Sequence, residues 1–265
     1  MPPSGTARVR PRPTLIAFLL AWTFVIARSP VAGAAPSADA PTHEVSVFAA
    51  ASLTAAFRAV GAAYEAAHPD TTIIFNFGGS PTLVQQIREG APADVFASAD
   101  EATMQKLVDA GAVAGSSQIF ARNRLQIAVA KGNPHRIAGL ADLGKPELVV
   151  VLCGDTVPCG RYGLEAFAKA GAKAPAGSRE PDVKAVLNKV ALGEADAGLV
   201  YATDVRAARG SVDGVDIATE HAVVARYAIA ALRDAAHADA ARAFIAFVLS
   251  DPGTKILGEY GFQSP

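Results

Sequence analysis

The sequence predicts an α/β fold with mostly parallel sheets, on three observations. Strand-like alternation and helix-like periodicity take turns along the chain from about residue 44 onward. Several strand ends pass into helices through a serine, or through a proline beside a small residue, the chemistry that starts a helix. One apolar run, Leu148 to Leu152, is nearly continuous, as expected of a strand buried on both faces.

The elements follow in order. Val45 to Ala51 reads as the first strand, and Ser52 joins it to a helix whose apolar face is Leu53, Ala56, Phe57, Val60 and Tyr64, ending by Pro69. Thr72 to Phe77 is a second strand. The turn Gly78-Gly79-Ser80-Pro81 opens a helix carrying Leu83, Val84 and Ile87, with Pro81 suited to its first turn. Asp94 to Ser98 is a third strand, followed by a helix with Met104, Leu107 and Val108 that stops near Gly111. Alternation resumes from Leu125 to Ala130, then comes the Leu148 to Leu152 strand, a cysteine-bearing loop, and a helix from Tyr162 to Ala170 ending at Gly171. Asp182 to Leu192 is a helix, Ala197 to Tyr201 a strand, Tyr227 to Leu232 a strand, and Ala240 to Leu249 a helix, with a last helix opening at Asp251-Pro252.

The first 34 residues stand apart. Arg8, Arg10 and Arg12 precede an apolar run, Leu15 to Ala27, too short to span a bilayer comfortably, and Ala32-Gly33-Ala34 offers a small-residue cleavage site. This reads as a secretory signal peptide cut after Ala34, and with no cysteine there a lipid anchor is not expected. The remaining 231 residues hold 20 Lys and Arg against 25 Asp and Glu, about −5, which weighs against a nucleic-acid or anionic-membrane partner. That length suits one large domain or two lobes.

Export to an oxidising compartment makes a disulfide the leading reading of the two cysteines, Cys153 and Cys159. Their spacing is not the C-x-x-C of a redox pair. The five histidines, His43, His68, His135, His221 and His237, lack metal-ligand spacing and are read as surface residues. A serine at a strand-to-helix junction offers its hydroxyl and nearby backbone N–H groups to an anion. Taken singly, Ser52 and Ser80 are equally well explained as helix caps, Tyr201 as a strand end and Val183 as core.

The stretches Val47-Phe48-Ala49-Ala50-Ala51-Ser52-Leu53, Gly90-Ala91-Pro92-Ala93-Asp94-Val95-Phe96-Ala97-Ser98-Ala99-Asp100, Gly198-Leu199-Val200-Tyr201 and Glu259-Tyr260-Gly261-Phe262 resemble the periplasmic molybdate-binding proteins of ABC importers, in family order and over about residues 44–262. The resemblance implies a two-lobed class II periplasmic-binding-protein fold, each lobe a mostly parallel sheet flanked by helices, with 44–121 plus 226–265 as lobe 1 and 122–225 as lobe 2. It implies an oxyanion held in the cleft by the hydroxyls of Ser52, Ser80 and Tyr201 and the backbone N–H groups of Cys159 and Val183, molybdenum being reached through its oxygens only. The family has alanine where Cys159 stands, a tolerable change because only the backbone is used, and Gly78-Gly79-Ser80-Pro81 replaces a serine-rich turn. The resemblance also implies no cofactor, a periplasmic location, a monomer, and a membrane permease with a cytoplasmic ATPase as partner.

The chemistry agrees with the resemblance. Molybdate and tungstate are tetrahedral dianions without a proton, so a complementary site needs donors only. Hydrogen phosphate must place a proton, and a buried unpaired donor costs about 1–3 kcal/mol. Sulfate has the same charge and shape, so a receptor for sulfate, thiosulfate or another oxyanion is the alternative. A serine hydrolase using Ser52 is the remote one, since neither a Gly-x-Ser-x-Gly elbow nor a histidine is tied to Ser52. The acids Asp155, Asp182 and Asp204 near these junctions are expected to cap helices or face solvent, because a carboxylate facing the cleft would repel the ligand.

Overall fold

The computed structural model describes residues 43–265, so the segment read as a signal peptide lies outside the described residues. In chain order the elements are β1 (His43–Ala50), a 3-10 turn (Ala51–Leu53), α1 (Thr54–Ala67), β2 (Thr71–Gly78), α2 (Ser80–Arg88), β3 (Val95–Ser98), α3 (Glu101–Asp109) and β4 (Gln118–Ala130). They continue with β5 (Val150–Cys153), α4 (Pro158–Lys169), β6 (Arg179–Glu180), α5 (Val183–Ala191), β7 (Ala197–Tyr201), α6 (Ala202–Ala207), β8 (Val212–Asp216), β9 (Val224–Ala231), α7 (Ala238–Leu249) and α8 (Asp251–Glu259).

The strands form a nine-stranded sheet in the order β2-β1-β3-β9-β4-β7-β5-β6, with β8 added on β4. The sheet is mixed rather than mostly parallel. β1 runs parallel to β2 and β3, and β5 to β6 and β7. The pairs β3·β9, β4·β7, β4·β8 and β4·β9 are antiparallel. The reason is connectivity: β4 and β9 are the long strands through which the chain passes from one half of the sheet to the other and back. Residues 118–124 of β4 pair with β9, whereas 125–130 lie between β7 and β8.

Alternation along β1 shows how the layers form. Val45, Val47 and Ala49 face one apolar cluster, while Phe48 faces a second with Leu83, Val84, Phe96, Met104 and Leu107 under α2 and α3. In the first cluster Phe57 of α1 meets Phe75, Phe120 and Phe244 with ring centroids 6.1, 5.6 and 6.4 Å apart. Burying a side chain of that size stabilises by about 1.5–3 kcal/mol. Helices therefore cover both faces, leaving the strand ends and the helix starts that follow them as the place where polar groups gather.

Several segments differ from the sequence reading, among them β6, which that reading lacks, and β9, which begins at Val224 rather than Tyr227. β4 begins at Gln118 rather than Leu125, because Gln118, Arg122, Asn123 and Arg124 break the apolar alternation although their backbones pair with β9. α4 begins at Pro158 rather than Tyr162, so the second cysteine lies inside the helix's first turn. α6 and β8 occupy the Asp- and Gly-containing stretch after Tyr201, where apolar periodicity is too short to read. Of the five histidines, His68, His221 and His237 are half-buried, and His68 stacks on Tyr64 at 4.0 Å, a departure from the surface reading. Among the described residues no helix is long and apolar enough to cross a membrane.

Candidate functional site

Five chain segments deliver polar groups to one point. At the end of β1 the chain turns through residues 51–53, held by Thr54 Oγ1 donating to the Ala51 carbonyl at 2.7 Å, which leaves Ser52 buried. At the end of β2, Gly79 caps α2 and Ser80 is its first residue, with Pro81 behind it where a missing N–H costs nothing. Across from them, Val157 caps α4, and Arg161 N–H makes a helical bond back to the Val157 carbonyl at 2.9 Å. Cys159 is thus in the first turn, where N–H groups have no intrahelical acceptor. Asp182 caps α5, its Oδ1 accepting from Lys184 N–H (2.8 Å) and Ala185 N–H (3.0 Å), which leaves the Val183 N–H uncapped. Tyr201 ends β7 with its side chain buried, and its hydroxyl has no hydrogen-bond partner among the described residues.

The structure brings all five predicted site residues, Ser52, Ser80, Cys159, Val183 and Tyr201, to a single cavity. Ala50, Ala51, Gly78, Gly79, Ala99, Val157, Pro158 and Asp182 complete its wall, and no lysine or arginine lines it. The cavity is small, about 10 Å³, room for about one water-sized sphere. The starts of α2, α4 and α5 direct their positive dipole ends toward it. A much larger groove, about 630 Å³, is elsewhere, lined by Arg124, Lys131, Arg206 and Arg209 among others and by none of the five.

Both serines are held from behind by the protein. Ser80 Oγ accepts from the Ala99 N–H at 3.2 Å. Ser52 Oγ lies 2.9 Å from the Tyr227 hydroxyl, which in turn lies 3.4 Å from Asn123 Nδ2. That amide also donates to Thr203 Oγ1 at 2.9 Å, while its oxygen accepts from the Arg124 N–H at 2.9 Å. Sequence reasoning missed Tyr227 and Asn123 as members of the site. A buried asparagine inside a strand, where that residue is depleted, is the one signal that could have pointed to it.

Burial pushes the Tyr201 phenol well above its ordinary value, and Tyr227 likewise, against the lowering effect of its bond to Ser52. Both therefore stay protonated donors through the neutral range. The neighbouring acids are occupied. Asp204 Oδ2 accepts from the Tyr201 N–H at 3.2 Å and its other oxygen lies 2.8 Å from Lys184 Nζ. Burial raises the Asp204 carboxyl while Lys184 opposes the rise. Asp155 is exposed and pairs with Arg179 at 3.3 Å. Asp182 caps α5 but also borders the cavity. Cys153 and Cys159 are bonded, their Cα atoms 5.8 Å apart, which ties the end of β5 to the first turn of α4.

Two cross-links join α4 and β9 to the start of α3. Arg161 donates to Asp100 and, at 2.8 Å, to Thr103 Oγ1, and Arg226 Nε lies 2.9 Å from Glu101. Gly79 packs so closely on the start of α5 that a Cβ added there would lie 2.3 Å from the Pro181 carbonyl oxygen.

Comparison with known proteins gives these features a family. The model of the family described as bacterial extracellular solute-binding protein matches residues 45–263. The molybdate-binding protein ModA of Mycobacterium tuberculosis is 42% identical over 234 residues, 87% of this chain and 90% of that one. Among solved structures, the periplasmic molybdate-binding protein of Azotobacter vinelandii superposes with a TM-score of 0.72 at 19% identity, over 83% of this chain and 99% of that one. The sulfate-binding protein SubI of M. tuberculosis superposes with a TM-score of 0.75 at 20% identity, over 84% and 87%. At those identities the two structures speak for the fold alone. This chain belongs to the bacterial extracellular solute-binding proteins and is related over most of its length to the members named ModA.

Proposed function

We propose that this protein captures molybdate or tungstate outside the cytoplasm and delivers it to an ABC importer, a membrane permease driven by a cytoplasmic ATPase. The observation that carries the reading is the convergence of three hydroxyls and two uncapped helix-start N–H groups on one buried cavity without a lining cation. Ser52, Ser80 and Tyr201 donate through side chains, and Cys159 and Val183 through the backbone. Four oxygens that only accept match that set. The relationship to proteins named molybdate-binding supports the choice of ligand.

The protein acts by binding rather than turnover. The partner of Ser52 is a phenol held far from ionisation, not a base of the kind a nucleophile requires. Residues 44–121 with 226–265 form one lobe and 122–225 the other, and the two segments that cross between them, in β4 and β9, are where the lobes hinge. Closure draws its free energy from the ligand's greater affinity for the closed form. The closed protein, a monomer, then docks on the permease with surfaces of both lobes. Residues 1–34 direct export and are removed, leaving a periplasmic protein without a lipid anchor.

Calorimetric titration of the exported, oxidised protein with molybdate, tungstate, sulfate and phosphate tests the reading. One-to-one binding of the first two, with no heat from the others, is the expected result. Sulfate is the competitor, since the same donors suit it and the cavity is small. Binding of sulfate alone would keep the receptor and replace its ligand.

A further inference from the structure

The Ser52 hydroxyl can point its proton either into the cavity or back at the protein, and the two choices suit different ligands. A serine that donates forward fits an oxygen that only accepts. One that donates backward presents lone pairs and fits a protonated oxygen. The groups behind Ser52 decide between them.

Asn123 comes first. Its amide oxygen accepts from the Arg124 N–H at 2.9 Å, so its nitrogen is the atom facing Thr203 Oγ1 (2.9 Å) and the Tyr227 hydroxyl (3.4 Å). An amide nitrogen donates and does not accept. Two side-chain atoms lie in hydrogen-bond geometry with the Tyr227 hydroxyl, and of these only Ser52 Oγ, at 2.9 Å, can therefore take the phenolic proton; the Tyr201 hydroxyl is a neighbour too, but outside that geometry. Were Ser52 to donate to Tyr227 instead, the Tyr227 O–H would be a buried donor with only the Tyr201 hydroxyl, outside hydrogen-bond geometry, left to turn to, at a cost of about 1–3 kcal/mol. Tyr227 is fully buried, so water offers no relief.

We propose that Asn123 and Tyr227 are positioning residues that fix Ser52 as a forward donor, so that the cavity selects fully deprotonated tetrahedral oxyanions over protonated ones. The chain of donors runs from the Asn123 amide to the Tyr227 phenol to the Ser52 hydroxyl to the ligand. Ser80 is biased the same way by a group that substitution does not remove, the Ala99 backbone N–H. The inference rests on the oxyanion reading of the cavity but not on which deprotonated oxyanion is bound.

The test is a double-mutant cycle with Tyr227→Phe and Ser52→Ala, in which molybdate is titrated directly and sulfate and hydrogen phosphate are measured by their displacement of bound molybdate at high concentration, at mildly alkaline pH, where phosphate is a singly protonated dianion. Phenylalanine keeps the ring that packs on Phe120, Tyr201 and Phe262. In Tyr227→Phe, Ser52 is free to turn and accept. The expected result is an affinity for the unprotonated anion about tenfold lower, no matching loss for hydrogen phosphate, and so a lower selectivity ratio. In the Ser52→Ala background, Tyr227→Phe should leave that ratio where Ser52→Ala alone puts it. Equal weakening of all anions by Tyr227→Phe, an unchanged ratio, or independent effects of the two substitutions would each overturn the proposal. If the wild-type protein binds sulfate and not molybdate, the molybdate reading fails while the relay is judged by the same cycle on sulfate against hydrogen phosphate.

Discussion

The two sides of the cavity recognise an anion by different means. The side built from β1, β2 and the helix starts after them offers serine hydroxyls, each backed by a hydrogen bond from the protein. The side built from α4 and α5 offers backbone N–H groups aimed by helix geometry alone, with Tyr201 beside them as a hydroxyl that has no partner. Side-chain donors depend on the identity of the residue and of its neighbours, whereas helix-start donors depend on the cap and the turn. Substitutions should therefore act unequally on the two sides, and the contact between the sides should matter most.

One point of that contact is Gly79. Its φ of −60° and ψ of 131° suit any residue, so alanine there should fold. Its Cβ would meet the Pro181 carbonyl oxygen, a backbone atom of the opposite side, at 2.3 Å. Gly79→Ala is expected to leave the melting temperature of the ligand-free protein nearly unchanged. It should weaken molybdate binding by about 30- to 100-fold, the equivalent of roughly 2–3 kcal/mol of overpacking paid only when the sides approach. Calorimetry with small-angle scattering checks this. A variant that binds and contracts like the wild type would mean that the sides close without pressing residue 79 against the Pro181 carbonyl.

Much of this arrangement was legible in the sequence, and the illegible part has a common cause. β7 and α5 fall within a residue or so of their expected bounds, because apolar runs and helix stop signals are local. The five cavity residues were legible because each sits at a strand-to-helix junction and the junctions together resemble one family. The mixed character of the sheet was not, since strand direction in β4 and β9 is set by partners far away in the chain. Tyr227 and Asn123 were missed for the same reason. Their meaning lies in contacts to Ser52, 175 residues away, and to Thr203, 80 residues away, and neither residue's immediate surroundings carry a signature of it.

Tyr201 is the next largest test, being a lone side-chain donor on the side otherwise made of backbone. Its buried hydroxyl lacks a protein partner, so Tyr201→Phe removes a donor with little to repair within the fold. A hydrogen bond to a charged group is worth about 1.5–3 kcal/mol, so binding should weaken tenfold or more. The pH dependence has a definite sign. Because burial raises the phenol's value in the folded state, the stability linked to its neutral form is whole below about pH 10 and is lost as pH rises through the folded value. Affinity should accordingly stay level across the neutral and mildly alkaline range. An unchanged affinity in the phenylalanine variant would remove Tyr201 from the site.

The smallest expected effect on binding comes from the disulfide, although it touches a cavity residue. Cys159 contributes a backbone N–H whose direction follows from the α4 turn, and alanine at that position keeps it. The loop before α4 is also held without sulfur, by Gly154 N–H donating to the Glu180 carbonyl at 2.8 Å and Val157 N–H to the Gly154 carbonyl at 2.9 Å. Closing so short a loop contributes about 2 kcal/mol in the chain-entropy model. The Cys153→Ala/Cys159→Ala protein should therefore melt at a lower temperature while binding molybdate within about threefold of the wild type, since its cap and turn persist. A loss as large as that of Tyr201→Phe would show instead that the bridge aims the N–H, and would make this side of the cavity as dependent on side chains as the serine side.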